Sequence, residues 1–345
     1  MTDPVSTLAA VHDAVAVPLA WAVILAFAAG SALELRAREY ARPLLVGSWA
    51  LFAVFWAIQA PHFAFTQRSI IEGIGSVVAV PASLYVGYLL WAGRDSLFVL
   101  SRAVAAMGLV FIPFQAVPAL QAWLVETVAR QTAAGIALVG VDPTLIPWPE
   151  AAQRTAEALG KSEAWAADYA DKHAAYRNTF YFVHEGHPIT YTILVACTGI
   201  GSMAIFAGLV AAVRAPLRRK LRALAVSLPV IYALNIVRNV FIAVSFGRQR
   251  AQVFPDAVMT LFGTSDPRMV SYYVADRIVA QSLSVLVLVG ITYLVVRELP
   301  EVMVVVEDLL YVATGNEYDL RAALDVDLPD PGSEPVRADG GAGEE

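Results

Sequence analysis

The stretch ALAVSLPVIYALNIVRNVFIAVSF, residues 223–246, decides the class of fold, because it is long and apolar enough to cross a lipid bilayer. At about 1.5 Å per residue it spans about 36 Å as an α-helix, and the hydrocarbon core of a membrane is about 30 Å thick. Arg238 interrupts this run well before its end. An arginine at such a depth costs several kcal/mol unless it is paired or hydrated, so it indicates a functional site.

Six further runs have a similar length and apolar character. We predict membrane-spanning helices at residues 15–33, 43–61, 70–92, 103–124, 189–213, 223–246 and 274–296. The segment 127–141 is shorter and more polar, and it leaves open an eighth span or a helix that dips into the membrane interface. The sequence therefore predicts an all-α polytopic membrane protein with about seven transmembrane helices, or eight if that segment also spans.

The composition agrees with this class and limits the chemistry. Of the 345 residues, 58% are apolar, and the mean hydropathy is +0.61. The only cysteine is Cys197, which excludes an intramolecular disulfide and a metal site built from several cysteines. The first apolar run follows an acidic start and is long enough to remain as an anchor, so we expect no cleavable signal peptide. We expect no metal, no cofactor and no nucleic-acid partner.

Basic residues in the short connections set the orientation of the spans. They lie at 36–42, Arg94, Arg102, 214–222 and Arg297. These positions alternate so that all of them fall on one side of the membrane, which the positive-inside rule makes the cytoplasmic side. The N-terminus and the connections at 62–69, 125–188 and 247–273 are then predicted outside, and the C-terminus inside.

The expected organisation is a transmembrane helical domain over residues 1–296, followed by a cytoplasmic tail over 297–345. Within the first part, 125–188 forms an extracellular region that predicts turns and one or two surface helices, and 189–296 holds the spans with the candidate site. The tail begins amphipathic, in ELPEVMVVVEDLLYVATG, and ends in an acidic stretch that we expect to be disordered.

Three consecutive predicted spans each bring one chemically notable residue to the same depth. Measured from the basic connection 214–222, Cys197 lies about 25 Å away on one span and Arg238 about 24 Å away on the next. On the last span, Arg277 lies about 30 Å from Arg297. Cys197, Arg238 and Arg277 are therefore predicted together near the outer face of the membrane.

Neighbouring residues share the helical faces of these three. Cys197 is predicted to head a stripe of small residues, which permits close approach of another helix, at Gly201, Ala204 and Gly208. Asn235 shares a face with Arg238. Tyr273 and Gln281 share a face with Arg277. We predict Asn235, Tyr273 and Gln281 as binding residues of a hydrated pocket that opens outward.

These residue types suit acyl transfer without a metal. A thiolate is a nucleophile, nearby cations favour that ionised form, and guanidinium groups can bind the oxyanion of a tetrahedral intermediate. Cys197 is the predicted nucleophile, Arg238 stabilises the thiolate and the oxyanion, and Arg277 orients the substrate or the incoming group. His184 and His187 precede the cysteine in HEGHPITYTILVAC, which leaves open a cysteine–histidine pair or two hydrated loop residues.

The same residues resemble the exosortase and archaeosortase family. Cys197 stands in ACTGIG, Arg238 in NIVRN and Arg277 in YYVADRIV, each near the outer end of successive spans. The spacings also suit that family, and arginine rather than histidine at the third position resembles its archaeal branch. The resemblance covers mainly residues 180–296, and the first four spans match only in general character.

The resemblance implies a membrane-embedded cysteine peptidase or transpeptidase. Such an enzyme would act on secreted precursor proteins that end in a sorting signal made of a short Pro-Gly-Phe-type motif, an apolar helix and a basic tail. Cys197 would form an acyl-thioester on the extracellular side of the cell membrane. A membrane lipid would then accept the acyl group and leave the product anchored at the cell surface.

Two other functions use the same residues. An intramembrane cysteine protease would employ Cys197 only to hydrolyse its substrate, and lipid attachment to the product distinguishes the two reactions. A non-enzymatic transporter or anionic-lipid-binding protein would use the arginines to hold a ligand, and it would tolerate the loss of Cys197.

Overall fold

The computed structural model describes residues 4–66, 70–142, 144–320 and 322, and it is 77% helical. The helices are α1 (Pro4–Glu34), α2 (Arg38–Pro61), α3 (Ile70–Trp91), α4 (Leu97–Ala116), α5 (Pro118–Leu138), α6 (Trp148–Ala158), α7 (Glu163–Ala170), α8 (Ile200–Ala212), α9 (Leu217–Gly247), α10 (Pro255–Phe262), α11 (Met269–Tyr272), α12 (Gln281–Glu298) and α13 (Met303–Thr314). The strands are β1 (Thr144–Pro147), β2 (Arg177–His184) and β3 (His187–Thr192). Most of the predicted acidic end of the tail lies outside the described residues.

Six segments of the described chain are helical, long and apolar enough to cross a membrane. They are Ala14–Glu34, Arg38–Thr66, Ile70–Trp91, Leu97–Ala116, Leu217–Gly247 and Met269–Glu298. The last segment joins α11 to α12 through a π-helical segment at Tyr273–Ala280. A seventh apolar helix, α8, is shorter, with 13 residues. The predicted all-α polytopic membrane protein is confirmed, and a small sheet is added to it.

The fourth predicted span, 103–124, joins parts of two different helices. The chain bends at Val117, which is extended with φ −103° and ψ 108°, because a residue that precedes proline avoids the α-helical region. Pro118 lacks an N–H group and is well suited to the first position of a new helix, α5. Most of the segment 127–141 belongs to α5, which is not among the six spanning segments.

The fifth predicted span, 189–213, is helical only in its second part. β2 and β3 form an antiparallel hairpin, and β1 pairs with the other edge of β2. The hairpin turns at Glu185 and Gly186, both with positive φ, as a two-residue turn between twisted strands requires. Periodicity alone cannot distinguish a short apolar strand from the start of a buried helix, which explains the error. The expected surface helices of 125–188 are present as α6 and α7.

The predicted stripe of small residues does not include Cys197. The cysteine lies in a 3₁₀ turn, Val195–Thr198, and Gly199, with φ 77°, separates that turn from α8. Gly208, further along α8, packs directly on the backbone of α4, because a Cβ atom there would lie 2.6 Å from the carbonyl oxygen of Ala103. The small residue therefore brings α8 against α4, while the cysteine is positioned by a different part of the chain.

Two apolar clusters hold the bundle together. One joins the four helices α1, α2, α3 and α4, and it includes Phe27, Trp49 and Phe98. The other joins α5, the hairpin and α9, and includes Phe180 and Ile242. Helix α8 packs against both α4 and α9, so it connects the two clusters. The turn that precedes α8 therefore lies beside the cluster of α5, the hairpin and α9.

The amphipathic start of the tail folds onto the α3–α4 connection as α13. Arg94 Nε donates to Asp308 Oδ1 at 2.8 Å, and Ser96 Oγ donates to the same oxygen at 2.8 Å. The guanidinium of Arg94 also lies 3.9 Å from the ring centroid of Tyr311. The buried carboxylate of Asp308 therefore joins α13 to the α3–α4 connection, at the end of the bundle that is predicted to be cytoplasmic.

The sidedness of the bundle stays a prediction, and two exposed positions test it. In a Cys197→Ala background, we expect Lys161→Cys to react with a membrane-impermeant maleimide in intact cells. We expect Arg218→Cys to react only after lysis, because it lies in the basic connection assigned to the cytoplasm. The measurement is labelling of the purified protein, and the reverse pattern would contradict the predicted orientation.

Candidate active site

The structure brings Cys197, Arg238 and Arg277 together through one carboxylate, that of Asp276. Arg238 Nη2 donates to Asp276 Oδ1 at 2.7 Å, and Arg277 Nε lies 3.5 Å from Asp276 Oδ2. Both arginines and Asp276 are close enough to the half-buried thiol of Cys197 to act on it electrostatically. The candidate site therefore lies where the 3₁₀ turn, α9 and the π-helical segment meet.

Two asparagines of α9 hold the backbone of Cys197. Asn235 Nδ2 and Asn239 Nδ2 both donate to the carbonyl oxygen of Cys197, at 2.7 and 2.8 Å. Four residues apart on a helix, they present their side chains on one face. Tyr191, at the end of the hairpin, donates its hydroxyl to Asn239 Oδ1 at 3.4 Å. The predicted residue Asn235 thus contacts the peptide of the cysteine, and Asn239 and Tyr191 complete the contact.

The turn that holds the cysteine is shaped by Gly199. A Cβ atom at this position would lie 3.0 Å from Asn235 Cγ, and the positive φ of Gly199 is unfavourable for other residues. Thr198 Oγ1 donates to the carbonyl oxygen of Val195 at 2.6 Å and closes the turn. Helix α8 begins directly after this turn, at Ile200.

The π-helical segment changes which residues of the last span face the site. The sequence paired Tyr273 with Arg277 at the i, i+4 spacing of an α-helix, but a π-helix has i→i+5 hydrogen bonds and a wider turn. Tyr272 lies near these charges instead: its ring centroid is 6.0 Å from the guanidinium of Arg277. Tyr273 instead stacks on Phe262 of α10, with ring centroids 4.3 Å apart.

The other predicted binding residue, Gln281, is the first residue of α12 and follows the π-helical segment directly. Arg277 also faces a second carboxylate, because its Nη1 lies 3.9 Å from Glu72 Oε2 of α3. Glu72 lies in the third predicted span, 70–92, where no sequence motif predicted a site residue. An acidic residue inside an apolar predicted span is the signal that could have found it.

The two histidines near the cysteine lie at the far end of the hairpin. His184 and His187 face each other across its turn, and β3 then runs about 17 Å from His187 to Thr192. Burial and the positive charge of Arg268 lower the pKa of His187. The structure therefore gives no support to a cysteine–histidine pair. Over the described ranges of the chain, no group of three or more His, Cys, Asp or Glu residues is arranged to hold a metal.

The arrangement suits nucleophilic chemistry on a carbonyl compound. Arg238 Nε is buried and has no hydrogen-bond partner within the part of the chain that the structure describes. Only one of its nitrogens is engaged by Asp276, so two nitrogens of a permanently charged guanidinium remain as donors. A thiol, an available donor and a second arginine are the groups that attack on a carbonyl and stabilisation of its oxyanion require.

Comparison with known proteins identifies relatives over most of the chain. Residues 16–265 match the sequence profile described as transmembrane exosortase. The chain is 47% identical to archaeosortase A of Haloferax volcanii over 319 residues, which covers 90% of this chain and 97% of that protein. It is 41% identical to archaeosortase A of Natronomonas pharaonis over 316 residues, 91% of each chain. No solved structure matches the chain. An archaeal source fits both relatives.

We expect Asn239→Ala to loosen the turn of Cys197, because it removes one donor from a buried carbonyl and the acceptor of the Tyr191 hydroxyl. The loss should reduce stability by about 1–3 kcal/mol and speed the alkylation of Cys197 by N-ethylmaleimide. Both are measured on the purified protein in detergent, by thermal unfolding and by mass spectrometry.

Ser227→Ala is the matched control, because it removes a buried hydroxyl of α9 that donates only to Ala223 of the same helix. If Cys197 is alkylated at the same rate in the Asn239→Ala and Ser227→Ala proteins, the proposed role of Asn239 in holding the turn of Cys197 is contradicted.

Proposed function

The chain belongs to the transmembrane exosortase family, and we propose that it is a membrane-embedded cysteine transpeptidase that sorts secreted proteins to the cell surface. It cleaves precursors that end in a Pro-Gly-Phe-type motif, an apolar helix and a basic tail, and it transfers the cleaved chain to a membrane lipid. The names of the two archaeosortase relatives support sorting. The observation that carries the chemistry is the half-buried Cys197 beside two arginines joined by Asp276.

In the first half-reaction, the sulfur of Cys197 attacks the carbonyl carbon of the scissile peptide bond. A C–S bond forms, the C–N bond breaks, and the thiol proton ends on the leaving amine of the C-terminal fragment. The product is an acyl-thioester on Cys197. The two asparagine bonds to the Cys197 carbonyl hold the nucleophile in one position during this step, which lowers the entropic part of the barrier.

The oxyanion that forms in this step needs fixed donors. We assign them to the nitrogens of Arg238 that Asp276 does not engage, Nε and Nη1. Arg277 lies between Asp276 and Glu72 and orients the substrate carbonyl or the incoming group. Both roles rest on charge and donor geometry that do not change during the reaction, so little reorganisation accompanies the transition state.

In the second half-reaction, a nucleophilic group of a membrane lipid attacks the thioester carbonyl. A bond forms between the lipid nucleophile and the carbonyl carbon, the C–S bond breaks, and the proton of the nucleophile passes to the sulfur, so the thiol is regenerated and the lipid remains joined to the secreted protein. Hydrolysis by water follows the same route with a different acceptor. The site is proposed to face the extracellular side, where a translocated precursor presents its sorting motif.

Cys197→Ala should abolish processing, because no other residue can form the thioester. The expected result is full-length precursor accumulating in the membrane, measured by immunoblotting of a co-expressed reporter that carries a C-terminal sorting signal. Cys197→Ser should be severely impaired, since a hydroxyl is far less ionised than a thiol at neutral pH.

Normal processing by a folded Cys197→Ala protein would refute the enzymatic function and favour a ligand-holding membrane protein. Mass spectrometry of the product made by the wild-type protein separates transfer from hydrolysis, because transfer adds the mass of a lipid.

Arg238→Lys keeps the positive charge but loses the rigid set of guanidinium donors. If Arg238 binds both Asp276 and the oxyanion, we expect the processing rate to fall by about 10²–10³-fold. Arg219→Lys is the matched control, because Arg219 makes a bidentate ion pair with Glu301 outside the candidate site. Near-wild-type processing by Arg238→Lys would rule out the two-donor role of the guanidinium and leave only stabilisation of the thiolate by charge.

A further inference from the structure

Asp276 occupies an unusual position for a carboxylate in a membrane-spanning segment. It is buried, with 9% of its side chain exposed, and it faces two arginines from different helices. One oxygen accepts from Arg238 of α9, and the other faces Arg277, its own neighbour in the chain. In a regular α-helix, the side chains of Asp276 and Arg277 would point about 100° apart around the helix axis. The wider π-helical turn that holds both residues changes this angle.

The ionisable groups around the thiol of Cys197 come from three parts of the chain. Arg238 is on α9, Asp276, Arg277 and Tyr272 are on or next to the π-helical segment, and Tyr191 is at the end of β3. Both tyrosines are neutral near pH 7. With the two arginines charged and Asp276 ionised, these groups carry a net charge of one positive unit, and Asp276 is the negative group among them.

We propose that Asp276 is a positioning residue that holds Arg238 and Arg277 as one unit toward Cys197, and this inference rests on the proposed function. Without the carboxylate, the two guanidiniums repel each other and turn toward other acceptors, such as Glu72 or backbone carbonyls. The carboxylate occupies Nη2 of Arg238, so Nε and Nη1 are the nitrogens that remain for the substrate. It thus keeps Nη2 away from the oxyanion.

The carboxylate affects the thiol and the arginines in opposite directions. Its negative charge disfavours the thiolate, so its removal makes Cys197 easier to ionise. The same removal releases the arginines and slows attack on a peptide. A residue that only supports folding would not separate these two effects, because loss of structure changes both together with stability.

The test is Asp276→Asn, which keeps the shape of the side chain and removes its charge. In the purified full-length protein, we expect the pH midpoint of Cys197 alkylation by iodoacetamide to fall by about one unit. We expect processing of the reporter precursor to fall by about 10²-fold, the loss that a misplacement of about 1 Å can produce. The alkylation measurement needs no substrate, so it reports on the carboxylate even if the proposed function fails.

Asp308→Asn is the matched control, because Asp308 is also a buried carboxylate that accepts from an arginine, outside the candidate site. It should lower thermal stability and leave the alkylation midpoint and the processing rate unchanged. The inference is overturned if Asp276→Asn processes at the wild-type rate, or if its alkylation midpoint stays at the wild-type value.

Asp276→Glu keeps the charge on a longer side chain and provides a second variant if Asp276→Asn does not fold. We expect the alkylation midpoint to stay at the wild-type value and the processing rate to fall about tenfold, because the longer side chain displaces both guanidiniums. A fall of the midpoint by about one unit, or processing at the wild-type rate, would overturn the positioning role.

Discussion

The ion pairs that join Arg238 to Asp276 and Asp276 to Arg277 constrain the part of this helix bundle around Cys197. Two arginines within apolar helices are tolerated only where each meets a compensating group, because a charge in the membrane interior costs several kcal/mol. Removing one partner from such a network leaves a buried charge without compensation, which is more damaging than never having had the pair. The contact also fixes α9 against the last span, and it does so beside the cysteine.

Helix α9 combines the two kinds of contact that the candidate site needs. Its asparagines hold the carbonyl oxygen of Cys197 from one side, and Arg238, between them in sequence, reaches Asp276. Cys197, the proposed nucleophile, and Arg238 are therefore positioned by the same helix. The hairpin stabilises this arrangement through Tyr191, so the β-sheet and the membrane helices contribute to one site.

A second set of ion pairs lies at the other end of the bundle. Arg94 meets Asp308, Arg102 meets Glu34, and Arg219 meets Glu301, all at 2.7–2.8 Å. These contacts join helices that are distant in sequence, and apolar clusters fill the space between the two ends. Ion pairs thus have two uses in this bundle: those at one end connect distant parts of the chain, and those around Asp276 leave Nε and Nη1 of Arg238 available as donors.

The amino-acid sequence determined the membrane class, the approximate position of most spans, and the three residues that the structure brings together. These features depend on local length, apolar content and the cost of isolated charges, which a single chain shows directly. The sequence did not determine that residues 187–192 form a strand, because the choice between strand and helix depended on pairing with β2. Nor did it predict Asp276, Asn239, Tyr272 or Glu72 as partners. A π-helical turn and the crossing of α9 with the last span decided those contacts, since hydrogen-bond partners depend on how helices pack rather than on their order in the chain.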